Sequence, residues 1–99
     1  MKSMNREDAV NTLGNLQSII QHRFKATAKG IFGSVARDQQ TRESDLDVLV
    51  DFEPGADLID FVGLANFLEE HLHCKVDIIP TDSLREEIKE DVLKEAIFL

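Results

Sequence analysis

The chain has 99 residues and a formal net charge of −8, from 19 acidic and 11 basic residues. This length predicts a single domain over residues 1–99, and a hydrophobic fraction of 42% argues against disorder. The acidic balance disfavours non-specific nucleic-acid binding, which depends on clustered Lys and Arg, and favours a protein partner with a basic face.

The sequence also predicts a cytoplasmic protein that does not engage a membrane. No apolar run approaches the roughly 20 residues that span a bilayer, and the first ten residues lack the apolar core of a signal peptide. Because Cys74 is the single cysteine, an intrachain disulfide is excluded, which fits a reducing compartment.

The first half of the chain predicts two helices and two strands. An amphipathic helix is expected over residues 5–24, with Asn5 as its N-cap. A strand over residues 27–32 follows, and a short helix is expected to begin near Ser34. The clearest strand prediction is residues 45–52, where apolar and acidic side chains alternate.

The second half predicts a helix, a strand and a last helix. Asp57 is expected to cap a helix after Pro54-Gly55. Its inward face is expected to comprise Leu58, Phe61, Val62, Ala65, Leu68 and Leu72. A strand over residues 75–79 precedes a helix with apolar residues spaced four apart, which are Leu84, Ile88, Val92 and Ala96. The order α-β-α-β-α-β-α predicts an α/β (α+β) fold with a three-stranded mixed sheet and four helices.

Asp45 and Asp47 are the first candidates for a functional site. Residues two apart in a strand share a face, with Cα atoms about 6.5 to 7 Å apart. Carboxylates at that distance repel each other unless a positive charge lies between them, and Mg²⁺ prefers such oxygen ligands. Alone, this pattern is weak evidence for a metal site and is more typical of a solvated strand end.

Two further features strengthen the prediction of a site. Gly33 allows the backbone to approach a ligand closely, and a helix beginning at Ser34 would present N–H groups to phosphate. Asp77 interrupts an apolar strand, where a carboxylate needs compensation by a metal, a cation or hydrogen bonds. The alternatives are an ordinary strand-to-helix turn and, for Asp77, an exposed edge position beside Lys75.

These features together resemble the minimal nucleotidyltransferases of the DNA polymerase beta superfamily. In that family Gly-Ser is followed by ten residues and then by Asp-x-Asp, and the ten residues 35–44 separate Gly33-Ser34 from Asp45-Leu46-Asp47 here. The predicted order of strands and helices is also similar to the family, so the resemblance covers nearly the whole chain.

The resemblance implies a role for each candidate residue. The implied catalytic and metal-binding residues, for two Mg²⁺ ions, are Asp45, Asp47 and Asp77. The implied nucleotide-binding residues, with ATP as the expected donor, are Gly33, Ser34 and Arg37. Asp38 departs from the family pattern, which has glycine after the arginine, and its negative charge near a triphosphate is expected to weaken nucleotide binding.

The resemblance also implies a partner. Members of this size are often encoded beside a HEPN-domain protein, and several are antitoxins that adenylylate a tyrosine hydroxyl of that toxin. The expected activity is therefore Mg²⁺-dependent transfer of AMP from ATP to such a hydroxyl. One alternative is a binding module that neutralises its partner by covering it. Another is a small-molecule enzyme similar to the aminoglycoside nucleotidyltransferases, which usually carry an additional domain for the acceptor.

The end of the third predicted helix and the C-terminal residues carry two further features. His71, His73 and Cys74 are too few and too unevenly directed for a zinc site and fit a helix terminus. If the last helix continues to the end of the chain, Phe98 projects about 200° from Ala96 and cannot share its core face. Phe98 then belongs to a frayed terminus, is folded back onto the domain by a turn, or is an exposed anchor for a protein partner or a second copy of the chain.

Overall fold

The structure, a computed structural model, describes residues 5–33, 46–83, 94 and 96–99. Its helices and strands are α1 (Arg6–Phe24), β1 (Ala26–Phe32), β2 (Leu46–Phe52), α2 (Leu58–Leu72), β3 (Val76–Pro80) and β4 (Ile97–Phe98). A short 3-10 helix, Thr81–Ser83, follows β3. The helix predicted to begin near Ser34 lies outside the described residues, and of the last predicted helix only Lys94, which is helical, and Ala96, which is buried, are described. Neither α1 nor α2 is long and apolar enough to cross a membrane.

The strands form one mixed sheet in the order β3-β2-β1-β4. β1 is antiparallel to β2 and β4, whereas β2 and β3 are parallel. The predicted mixed α/β fold is confirmed, but the prediction of three strands was wrong. Ile97 and Phe98 are not the end of a helix, because they pair with Ile31 and Gly30 of β1. The angle of about 200° between Phe98 and Ala96 assumed a continuous helix and therefore does not describe their positions.

The N-caps of both helices are those that the sequence predicts. The Asn5 side chain accepts a hydrogen bond from the Asp8 N–H at 2.8 Å. The α2 cap is reciprocal, since the Asp60 N–H donates to Asp57 Oδ1 at 3.0 Å and the Asp57 N–H donates to Asp60 Oδ2 at 3.1 Å. Such caps satisfy N–H groups that the first turn leaves unpaired, each contributing about 1 kcal/mol.

Both helices pack on one face of the sheet. The buried core there consists of Ala9, Leu13, Ile20, Phe24, Ala26, Ala28, Ile31, Leu46, Val48, Val50, Leu64, Phe67, Leu68, Leu72, Val76 and Ile78. In β2 the core residues are the alternate positions Leu46, Val48 and Val50, as predicted. α1 and α2 lie over this face of β1, β2 and β3. The side chains that point away from the helices lie on the opposite face of the sheet.

The inward face of α2 differs from the prediction. Leu58 and Val62, which were placed inside, are 74% and 49% exposed, whereas Leu64 and Phe67 are buried. The first half of α2 is apolar around most of its circumference. Its periodicity therefore allows more than one inward face, and the position of the sheet decides between them.

β1 is completed by close contacts with two distant segments. A Cβ at Gly30 would overlap the Ile97 carbonyl oxygen, so glycine is required for β4 to pair here. Beyond β4, the Gln17 side chain bonds Ala28 twice, donating to its C=O and accepting from its N–H, both at 2.9 Å. The amide of Gln17 thus takes the place of a neighbouring strand.

Candidate active site

The face of the sheet opposite the helices carries the predicted acids. Alternation along β2 places Asp47, Leu49 and Asp51 on this face. Leu49 is fully buried although it is not part of the core beneath the helices. It pairs with Gly30 of β1 and Ile79 of β3, so an apolar row crosses the sheet beside the acidic positions.

Asp47 and Asp77 are direct neighbours in the sheet. They are paired in the parallel register of β2 and β3, and paired residues in adjacent strands point to the same face. Neighbouring strands lie about 4.8 Å apart, so the two carboxylates share one small region of surface. Two like charges at this separation favour a cation between them, and their hard oxygens suit Mg²⁺.

Asp77 occupies the exposed edge position that the sequence allowed as the alternative to a buried one. Asp77 is exposed, and β3 is an edge strand in the order β3-β2-β1-β4. No free energy is therefore spent on burying this carboxylate. What associates Asp77 with Asp47 is its paired position in the sheet. Asp47 is half-buried, so the pair spans the boundary between the sheet and solvent.

Gly33 completes the described part of this site. It follows Phe32, which pairs with Asp47 across β1 and β2. Its φ of +85° lies in the left-handed region that favours glycine, and a Cβ there would overlap Asp47 Oδ2. Gly33 therefore has two reasons to be glycine, the backbone conformation and the space that the Asp47 carboxylate occupies.

The structure brings together three of the six predicted site residues, which are Gly33, Asp47 and Asp77. Ser34, Arg37 and Asp45 lie outside the described residues, as does Asp38. The three described residues fit a Mg²⁺ site in their chemistry, since two carboxylates converge and a glycine leaves room beside one of them. Within the described parts of the chain, no group of three His, Cys, Asp or Glu side chains is arranged to hold a metal.

Asp51 lies farther along the same face and has a different setting. The Thr81 hydroxyl donates to its Oδ1, and Lys29 Nζ lies 3.5 Å from its Oδ2. No local sequence pattern predicts this network, because Thr81 is 30 residues away and Lys29 lies where the β1–β2 register shifts. Asp51 thus joins β1, β2 and the 3-10 helix, while Asp47 and Asp77 form the acidic pair.

The histidines rejected as zinc ligands serve the end of α2. His71 Nδ1 lies 2.9 Å from the Phe67 carbonyl oxygen. His73 is the left-handed C-cap, with φ of 56°, and its backbone N–H donates to the Glu69 carbonyl. These are contacts of a helix terminus, where histidine is favoured.

Comparison with known proteins identifies the family. Residues 13–99 match the nucleotidyltransferase domain family, and the chain belongs to it. The protein adenylyltransferase MntA of Thermococcus cleftensis is 35% identical over 98 residues, covering 92% of this chain and 99% of that protein. A Methanocaldococcus jannaschii protein, provisionally named as a protein adenylyltransferase, is 39% identical over 79 residues, which are 80% of this chain and 83% of the relative. The chain is therefore a nucleotidyltransferase.

Solved structures agree with the fold. A structure described as a candidate minimal nucleotidyltransferase is 37% identical, with a TM-score of 0.83 over 100% of both chains. A toxin–antitoxin structure with AMP-PNP has a TM-score of 0.67 and covers 85% of this chain and 69% of that one. Its identity is 24%, so this likeness shows the fold alone.

Proposed function

We propose that this nucleotidyltransferase transfers AMP from ATP, with Mg²⁺, to a hydroxyl of a protein partner, and that the hydroxyl belongs to a tyrosine of a HEPN-type toxin. The observation that carries the chemistry is the pairing of Asp47 with Asp77, with Gly33 against the Asp47 carboxylate. The name of the Thermococcus cleftensis relative, a protein adenylyltransferase, supports AMP as the group transferred and a protein as the acceptor.

Asp45, Asp47 and Asp77 are the residues that would hold two Mg²⁺ ions. Mg²⁺ held by these carboxylates would supply charge neutralisation of the triphosphate and would lower the pKa of the acceptor hydroxyl. Asp77 is the exposed member of the described pair. We assign it to the incoming hydroxyl, because a large protein acceptor reaches an exposed carboxylate more easily than a half-buried one.

Gly33, Ser34 and Arg37 are proposed to bind the triphosphate. Gly33 lies at the end of β1, beside Asp47, so its backbone can approach phosphate oxygens without a side chain in the way. The Ser34 hydroxyl is a donor to phosphate, and Arg37 supplies a positive charge.

The reaction is a substitution at the α-phosphorus. The acceptor oxygen forms a bond to that phosphorus as the bond to the oxygen bridging the α- and β-phosphates breaks. The hydroxyl proton passes to Asp77 and then to solvent, and pyrophosphate leaves with the bridging oxygen. Positioning and charge neutralisation account for the rate, so a covalent enzyme intermediate is not required.

Incubation with ATP labelled at the α-phosphate tests the proposal. The purified chain, Mg²⁺ and a purified HEPN-type partner should yield a labelled partner, and mass spectrometry should find AMP on a tyrosine. ATP labelled at the γ-phosphate is the control, because that label leaves with pyrophosphate. Neutralisation of the toxin without labelling would instead support the binding-module alternative.

A further inference from the structure

The first turn and a half of α2 presents apolar side chains to solvent. Leu58 is 74% exposed, Ile59 80% and Val62 49%. Val62 lies four residues after Leu58 and three after Ile59, and both spacings bring side chains together on a helix surface, so the three side chains form one area, here named the α2 patch. Contiguous exposed apolar area is costly in a monomer and marks interaction sites.

The backbone under the α2 patch is held by hydrogen bonds and by an aromatic contact. The reciprocal hydrogen bonds between Asp57 and Asp60 hold the first turn in place. Behind it, the rings of Phe52 and Phe61 stack with their centroids 5.8 Å apart, joining α2 to the end of β2. Side chains on such a support are already ordered before binding, which lowers the entropy cost of association.

The surroundings of the α2 patch are acidic. Asp57 and Asp60 lie within one turn of the patch, at the start of the stretch 57–72 that includes α2. The same stretch contains no Lys or Arg, and Glu53 just before it is exposed. In a symmetric dimer the same acids would face each other, so like charge disfavours a second copy as the occupant.

We propose that the α2 patch docks the acceptor partner through an apolar surface bordered by Lys and Arg. This inference rests on the proposed function, because the occupant is the protein that carries the acceptor hydroxyl. The patch lies on the helical face of the sheet, and Asp47 and Asp77 lie on the other. A partner docked on α2 therefore leaves the acidic pair open to ATP, and its acceptor hydroxyl lies on a part of the partner that extends beyond the docked surface.

The experiment measures binding of the purified HEPN-type partner to Ile59→Ser by calorimetry, with AMP transfer measured alongside. We expect the Kd to rise about tenfold or more, as for a central interface residue, with an unchanged melting temperature. The matched control is Phe98→Ser, which removes a 54% exposed apolar side chain from β4 and should leave the Kd unchanged. Affinity of the wild-type chain should also fall as salt increases.

The possible results separate this inference from the proposed function. Binding that is lost in Ile59→Ser but accompanied in the wild type by no AMP transfer would support the α2 patch and overturn the proposed activity. Equal Kd values for Ile59→Ser and the wild type would overturn the α2 patch while leaving the activity intact. Loss of binding in Phe98→Ser alone would move the interface to β4. Absence of any wild-type complex would overturn both proposals.

Discussion

Side chains alternate between the two faces of the sheet, and the two faces differ in burial and charge. Under α1 and α2, β2 contributes Leu46, Val48 and Val50, which are fully buried. On the other face it contributes Asp47, Leu49 and Asp51, of which only the leucine is fully buried. The first face stabilises the domain, and the second places carboxylates at defined spacings. Changes on the two faces should therefore affect different measurements.

The largest effect is expected on the helical face. Leu64→Ala removes a fully buried side chain and should lower the free energy of unfolding by about 3 kcal/mol, because a cavity remains. Leu58→Ala is the matched control on the same helix, where 74% exposure predicts a change within about 0.5 kcal/mol. Urea denaturation of both variants checks the difference, and equal losses would show that the assignment of α2 faces is wrong.

On the acidic face, Asp47→Asn should lower the rate of AMP transfer roughly 100-fold or more, since it removes a charge that we propose binds Mg²⁺ beside the triphosphate. The melting temperature should stay the same or rise, because repulsion from Asp77 is relieved. Asp51→Asn, on the same strand and face, should keep the transfer rate, since Asp51 bonds Thr81 and Lys29. Retained transfer in Asp47→Asn would remove the metal assignment.

Gly33→Ala should affect both measurements. Its φ of +85° costs an L-residue about 1–2 kcal/mol, and the new Cβ would displace the Asp47 carboxylate. Gly55→Ala is the control, because Gly55 has φ of +96° but open space around it. Both variants should lose similar stability in denaturation, and Gly33→Ala alone should lose nucleotide affinity in calorimetry with a non-hydrolysable ATP analogue. If Gly33→Ala and the wild type bind the analogue with equal affinity, Gly33 serves only the turn after β1.

Asp38→Gly carries the smallest expected effect. Repulsion between one solvated carboxylate and a triphosphate is worth about 1 kcal/mol or less, so nucleotide affinity should rise a few-fold. The same calorimetric titration measures it. A fall in affinity would instead assign Asp38 a favourable role in the site.

Local signals predicted one part of this molecule and tertiary contacts determined the rest. The predictions that depend on neighbouring residues alone are confirmed. They are the N-caps Asn5 and Asp57 and the alternation of buried side chains in β2. The spacing of Gly33 from the Asp-x-Asp pattern likewise indicated the site. The register that pairs Asp47 with Asp77 needed the folded sheet, as did β4, whose two residues are too few for a periodic pattern.

The Gln17 side chain also has a consequence for encounters between molecules. β4 pairs with Gly30 and Ile31, and Gln17 bonds both backbone groups of Ala28, so this edge of β1 is occupied by two distant parts of the chain. A strand from another molecule would have to displace both before it could pair along this edge of β1. The Gln17 amide on α1 thereby protects the part of β1 that β4 does not cover against strand addition.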